Sequence, residues 1–172
     1  MVIIKAIASV IFCSMALTTN YDAQRYMDIW LLSTPEERYI LPTKYKAAAV
    51  GLSEEEFNLL ARVVEAESDR SWCEDGTTYG RTLIASVIFN RVNSDAWPNT
   101  VTGVLTQSGQ FSTVSNGWCS ISSTKASEWA IVEAYYGLLD DYIPSDLIYF
   151  NCIGYNNGRP YDYVGGNYFM YG

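Results

Sequence analysis

Apolar residues recur at helical spacing through Phe57, Leu60, Ala61 and Val64, and a carboxylate, Glu67, follows in the same register. Ahead of them, Ser53-Glu54-Glu55-Glu56 sets a hydroxyl at the N-cap position and a Glu three residues on, the signature of a capping box. At about 100° per residue, seven steps from Leu60 return to within roughly 20° of the start. Glu67 therefore shares the apolar face, while Glu65 turns well away from Leu60. The run from Leu83 to Phe89 is apolar nearly all round, which predicts a buried helix closing on Asn90-Arg91-Val92. Thr100 is placed to cap a short helix reaching Leu105. Ser123 or Thr124 is placed to cap a longer one through Tyr136, stopped by Gly137. Leu147 to Asn151 and Tyr168 to Tyr171 are β-prone, with a turn at Asn156-Asn157-Gly158 between them. The pattern predicts an α+β domain, mainly helical, with a small sheet late in the chain.

The N-terminal part reads differently. Residues 1–16 carry Lys5, then an apolar run into Phe12, and small residues at Ser14 and Ala16, the pattern of a signal peptide cleaved after Ala16. The run is too short for a membrane span, so no stable membrane insertion is expected once the leader is gone. Residues 17–50 read as a linker or partly helical segment. Tyr21 to Leu32 is a short amphipathic stretch, Thr34-Pro35-Glu36-Glu37 is a helix start, and Leu41-Pro42-Thr43 breaks it. The domain itself is expected to run over residues 51–172.

Composition narrows the chemistry. The 172 residues are 49% hydrophobic and 17% charged, a globular balance. A formal net charge of -8, with no basic cluster in the domain, argues against nucleic acid as a partner. With a His count of 0, Ser-His-Asp and Cys-His catalysis and the usual His-based zinc sites are excluded, and neither metal nor cofactor is expected. Carboxylates, hydroxyls, amides and a few thiols remain. The 14 Tyr and 5 Trp fill a core and strands, or else form a cleft where flat rings meet sugar faces. Glu67 likewise has two readings. It is a helix-end carboxylate satisfied by nearby backbone or an Arg, or a general acid whose pKa is raised by burial.

Several blocks in order resemble the SleB-type cell wall hydrolases, the family of the spore cortex-lytic enzymes. They are Ala61-Arg62-Val63-Val64-Glu65-Ala66-Glu67, Ala85 to Val92, Trp97-Pro98-Asn99-Thr100-Val101, Gly109-Gln110-Phe111-Ser112, Ile148-Tyr149-Phe150-Asn151 and Val164 to Phe169. The resemblance runs from Leu60 to about Met170. It implies a compact lysozyme-like, transglycosylase-like domain, secreted or cell-wall associated, that cuts peptidoglycan glycan strands. The family's catalytic acid falls on Glu67. Gln110 and Ser112 are matched as hydrogen-bonding partners of a sugar, or as loop-closing groups. Phe111 and Tyr149 are matched as cleft walls, or as core. Asn151 and Asn167 complete the expected substrate-binding set. Asn167 stands where the family often has His, so a titrating role is absent there. Asn90 and Arg91 are expected as structural supports, with Arg91 able to orient a carboxylate. The loop from Trp72 to Thr78 looks longer than the family's.

No second carboxylate stands at an equivalent apolar position, which favours a lytic transglycosylase acting on the MurNAc-GlcNAc β-1,4 bond. The alternatives are a hydrolytic muramidase on the same scaffold and a non-catalytic glycan-binding module. If the leader is removed, Cys73, Cys119 and Cys152 remain, and Cys73 with Cys119 is the expected pair, tying two cleft loops together. Oligomeric state is not encoded in any of these features. Removal of the leader is directly measurable: N-terminal sequencing of the protein recovered from culture is expected to begin near Leu17, and intact Met1 in the cytosol would refute it.

Overall fold

The computed structural model describes residues 21–68, 78–117, 120 and 122–172. In chain order the helices are α1 (Tyr21–Leu32), α2 (Pro35–Ile40), α3 (Thr43–Ala49), α4 (Glu54–Glu67), α5 (Thr78–Val92), α6 (Val101–Thr106), α7 (Ser112–Ser115) and α8 (Lys125–Leu139). The strands are β1 (Leu147–Asn151), β2 (Arg159–Val164) and β3 (Asn167–Tyr171). The fold is α+β and mainly helical, with the small late sheet the pattern predicts.

Helix α5 is the centre of the packing. Leu83, Ala85, Val87 and Ile88 are fully or almost fully buried, and so are the polar residues Ser86, Asn90 and Arg91 on its other faces. It lies against α4, α6, α8 and β1, so an all-round apolar pattern is what its surroundings require. Ser53 caps α4, its hydroxyl accepting from the Glu56 N–H at 3.2 Å. The Glu56 carboxylate meets the Ser53 hydroxyl rather than the backbone, so half of the expected capping box forms. Thr124 caps α8 with Ser127 as its reciprocal partner. That helix does not stop at Gly137 but continues to Leu139. The glycine serves close packing instead: a Cβ there would stand 2.9 Å from Ile143 Cδ1.

The sheet is antiparallel in the order β1-β3-β2, with Phe150 opposite Phe169 and Val164 opposite Asn167. Strand β2 was not foreseen, because Pro160 and a polar sequence hide it. As an edge strand it tolerates both. Its hairpin to β3 turns on Gly165 and Gly166, at φ 58° and 77°, the double positive φ of a type I′ hairpin turn. At the other edge, α5 holds β1 from behind. Asn90 Nδ2 donates to the carbonyls of Pro144 (2.9 Å) and Leu147 (2.8 Å), and Arg91 Nε donates to that of Ile148 (2.8 Å).

The core does not begin at Gly51. Trp30, Ala47, Ala49 and Val50 are buried within the same cluster as α4 and α5. Lys46 is wholly buried, and its Nζ lies 2.7 Å from Glu128 on α8. Burial disfavours both charges. For Glu128, the hydrogen bond and charge of Lys46 outweigh burial and hold the carboxyl below its ordinary range. Three short helices leave little periodic signal, which is why residues 17–50 read as a linker.

Breaking a buried ion pair at one partner leaves an uncompensated charge. Lys46→Met is expected to destabilise the fold by about 3 kcal/mol, the low end of the range because Lys125 stays beside Glu128. Adding Glu128→Leu should recover most of that loss in thermal denaturation. No recovery would mean that the pair does not hold the N-terminal helices.

Candidate active site

A cleft of about 1060 Å³ opens between the end of α4, the α6–α7 loop and the sheet. Glu67, the last residue of α4, stands on its wall, half-buried. Thr113, on the single turn of α7, donates its hydroxyl to Glu67 Oε1 at 2.6 Å. Asn167, delivered by the Gly165-Gly166 turn, donates Nδ2 to the Glu67 backbone carbonyl at 3.3 Å, satisfying one of the open acceptors of the helix end.

Burial raises the Glu67 carboxyl above its ordinary range. The Thr113 hydroxyl and backbone N–H, and the charge of Arg91, pull it back only in part. Glu67 is therefore a carboxyl biased toward holding its proton, beside groups that favour the anion once the proton leaves.

Glu65 lies on another face of α4 than Leu60, as the helical wheel has it. Turning away from Leu60 does not take it to solvent, since it is only 2% exposed. Arg81 Nε donates to it at 3.1 Å and the Thr124 hydroxyl at 2.8 Å. The reason is that α4 is covered on several sides, by α3, α5, α6 and α8. Glu65 thus ties α4 to α5 and to the cap of α8, and its charge is compensated.

The structure brings most of the expected site residues together. Gln110, Ser112, Tyr149, Asn151 and Asn167 border the cleft with Glu67. Phe111 does not. It is 3% exposed and packs on Phe150, which stacks on Phe169. An aromatic ring in the N-cap position of α7 is enclosed by the sheet, so Phe111 supports the cleft from beneath. Asn151 borders the cleft but is engaged locally. Its Oδ1 accepts from the N–H groups of Ile153 (2.8 Å) and Gly154 (3.0 Å), and its Nδ2 donates to Asn156 (2.9 Å). Asn167 likewise acts on Glu67 through the backbone.

Sequence reasoning assigned no site role to Thr113, Trp97, Asn157 or Tyr163, all of which border the cleft. Thr113 adjoins the Gly109 to Ser112 block, but a one-turn helix has no periodicity to reveal it. Arg91 does more than support β1. It is 4% exposed, and its guanidinium lies 4.2 Å from the Trp97 ring centre and 5.6 Å from that of Phe111. Among the described residues, Cys152 is a free, exposed thiol at the cleft edge. The expected Cys73–Cys119 pair lies outside the described residues, as do Glu74 and Asp75. Among the described residues no group of acidic, Cys or His side chains converges as a metal site, and no helix is long and apolar enough to cross a membrane.

A family model described as Cell Wall Hydrolase matches residues 76–161, half of the chain. The chain belongs to the cell wall hydrolase family. It is 33% identical over 102 residues to a spore cortex-lytic enzyme of Bacillus cereus, covering 59% of this chain and 36% of that protein. Against the spore cortex-lytic enzyme of Bacillus subtilis (strain 168) the identity is 34% over 104 residues, covering 59% and 31%. The chain thus spans about a third of the length of these curated relatives. The fold is similar to two solved structures. One is the catalytic domain of the germination-specific lytic transglycosylase SleB from Bacillus anthracis, with TM-score 0.55, 24% identity, and coverage of 70% of this chain and 97% of that one. The other is the catalytic domain of Bacillus cereus SleB, with TM-score 0.56, 23% identity, and coverage of 69% and 91%. The matched family stretch takes in α5 to β1 and the start of β2, and with them part of the cleft wall, and begins beyond Glu67.

The electrostatics of Glu67 are testable without any substrate. Its carboxyl should titrate above the ordinary Glu range, and Thr113→Val should move it higher, because a donor favouring the anion is lost. Carbon-13 NMR of Glu-labelled protein, assigned with Glu67→Gln, measures both. A downward shift in Thr113→Val would contradict the geometry.

Proposed function

We propose that this cell wall hydrolase family member is a peptidoglycan lytic transglycosylase that cleaves the MurNAc-GlcNAc β-1,4 bond outside the cytoplasmic membrane, with Glu67 as general acid and then base. The observation that carries it is the environment of Glu67: a half-buried carboxyl on the wall of a sugar-sized cleft, held by Thr113, with its protonated form favoured.

Breaking a glycosidic bond requires a proton on the leaving oxygen as an oxocarbenium-like centre develops. A protonated Glu67 supplies it. A hydrolase adds a second carboxylate, to activate water or to form a covalent intermediate. Among the described residues, Glu67 is the only carboxylate bordering the cleft. Where Glu67 acts alone the economical route is intramolecular: ionised Glu67 takes the proton of the MurNAc C6 hydroxyl, whose oxygen closes on C1 to give a 1,6-anhydro ring. Thr113 and Arg91 favour the anion during that interval. Gln110, exposed on the loop, and Ser112, exposed at the start of α7, are placed to bond sugar hydroxyl or N-acetyl groups. Trp97, Tyr149 and Tyr163 bring aromatic rings to the cleft border.

Glu67→Gln keeps the shape and removes the transferable proton, so turnover on purified peptidoglycan should fall by roughly 100- to 10,000-fold. The variant should melt no lower than the parent at neutral pH. A raised folded-state pKa gives stability that is present below the unfolded-state pKa and lost as pH rises through the folded one, and Gln removes that loss. Mass spectrometry of the muropeptides decides the route, since an anhydro product is about 18 Da, one water, lighter than a hydrolysis product. Reducing ends alone would mean a muramidase. An active Glu67→Gln would refute the mechanism.

A further inference from the structure

Arg91 is over nine-tenths buried yet stands on the cleft wall. Its Nε is committed to the Ile148 carbonyl, and the rings of Trp97 and Phe111 hold the guanidinium plane. Among the described residues its two Nη groups form no hydrogen bond, although a guanidinium has five N–H donors to place. Burial lowers its pKa to about 10, which leaves it charged at neutral pH. Arg91 is also the one cationic side chain bordering the cleft among the described residues, and Glu67 the one acidic side chain.

A buried guanidinium whose free edge faces a cleft is built for a planar anion, because its paired N–H groups match two carboxylate oxygens. A neutral sugar would not call for it, since hydroxyls and amides are met by uncharged donors such as Gln110 and Ser112. We infer that Arg91 is a substrate-selecting residue that binds a carboxylate carried by the MurNAc residues of the glycan. The inference rests on the proposed glycan-cleaving reading and adds to it a ligand class for one cleft position. The carboxylate has two sources, the lactyl group of a peptide-free MurNAc or the stem peptide of a substituted one.

The test uses the Glu67→Gln protein, so that ligands stay intact, and three probes of equal sugar number. They are a neutral chitin oligomer, a peptide-free peptidoglycan glycan with its lactyl carboxylates exposed, and a peptide-bearing one. Binding to one or both carboxylate-bearing probes should exceed binding to the chitin oligomer by about tenfold or more, the size of a charge-assisted pair. Which of the two is preferred identifies the source. Added Arg91→Gln should collapse the preference, and added Arg91→Lys should keep part of it, as a cation without the fork. Circular dichroism verifies folding of each variant. Where Arg91→Gln does not fold, salt titration of the Glu67→Gln protein serves: the preference should shrink as salt rises. Binding all three probes alike, or a preference unchanged by Arg91→Gln and by salt, would overturn this inference alone. Binding none of them would overturn the glycan reading with it.

Discussion

Two side chains at the end of α5 determine where the cleft stands. Asn90 and Arg91 hold the carbonyls of Pro144, Leu147 and Ile148, and so mount β1 on the helix that the rest of the core packs around. Net, each such bond contributes only about 1 kcal/mol. Its geometric consequence is larger. A buried amide or guanidinium left without acceptors is costly, so β1 has one low-energy position, and β3 and β2 follow it through the antiparallel ladder. The far side of the cleft comes from α4 and α7. The distance between Glu67 and the sheet is thus set by polar bonds and by the packing of α4 on α5, with neither relying on a flexible loop.

Helix α4 shows how environment divides two identical side chains. Glu65 and Glu67 are separated by one residue. Glu65 faces Arg81 and Thr124 and is compensated; Glu67 faces a neutral hydroxyl and a more remote guanidinium. Burial penalises a charge at both positions; Arg81 and Thr124 offset that penalty at Glu65, while Thr113 and Arg91 offset it only in part at Glu67. Asn167 contributes from the sheet by bonding the Glu67 carbonyl, which holds the helix end against β3 and keeps the carboxyl on the cleft wall.

What could be read from the chain follows from the range of each signal. The face of α4 bearing Glu67, the all-round burial of α5, the caps at Ser53, Thr100 and Thr124, and the strands at Leu147 and Tyr168 are local, and each is where the pattern put it. The failures are non-local. A helical wheel turns Glu65 away from Leu60 but has no neighbours on it, so Arg81 and Thr124 do not show. Gly137 reads as a stop until Ile143 is known to need the space. Phe111 reads as a cleft wall until the sheet closes over it. The helices of residues 21–49 are short, and only their partners, Glu128 among them, reveal that they belong to the core. For the candidate site, the helix face singles out Glu67 and the family resemblance adds Gln110, Ser112 and Tyr149, while Thr113, Trp97 and Tyr163 emerge only when three separate segments meet.

Charge raises a last constraint. The chain carries a formal net charge of -8, and the ligand of the proposed reading, a peptidoglycan bearing carboxylates, is anionic as well, so attraction over distance would not bring them together. At physiological salt such fields decay within about 8 Å, which weakens the repulsion as much as it would weaken steering. On the proposed glycan reading, recognition is thereby left to groups that border the cleft: aromatic rings, hydroxyls, amides and the Arg91 edge. These act in a cleft partly removed from water, where a charged donor is worth more than at the surface. On that reading the site discriminates by what it bonds after encounter, and Arg91, the one cation that borders the cleft with Glu67 among the described residues, is its main electrostatic lever.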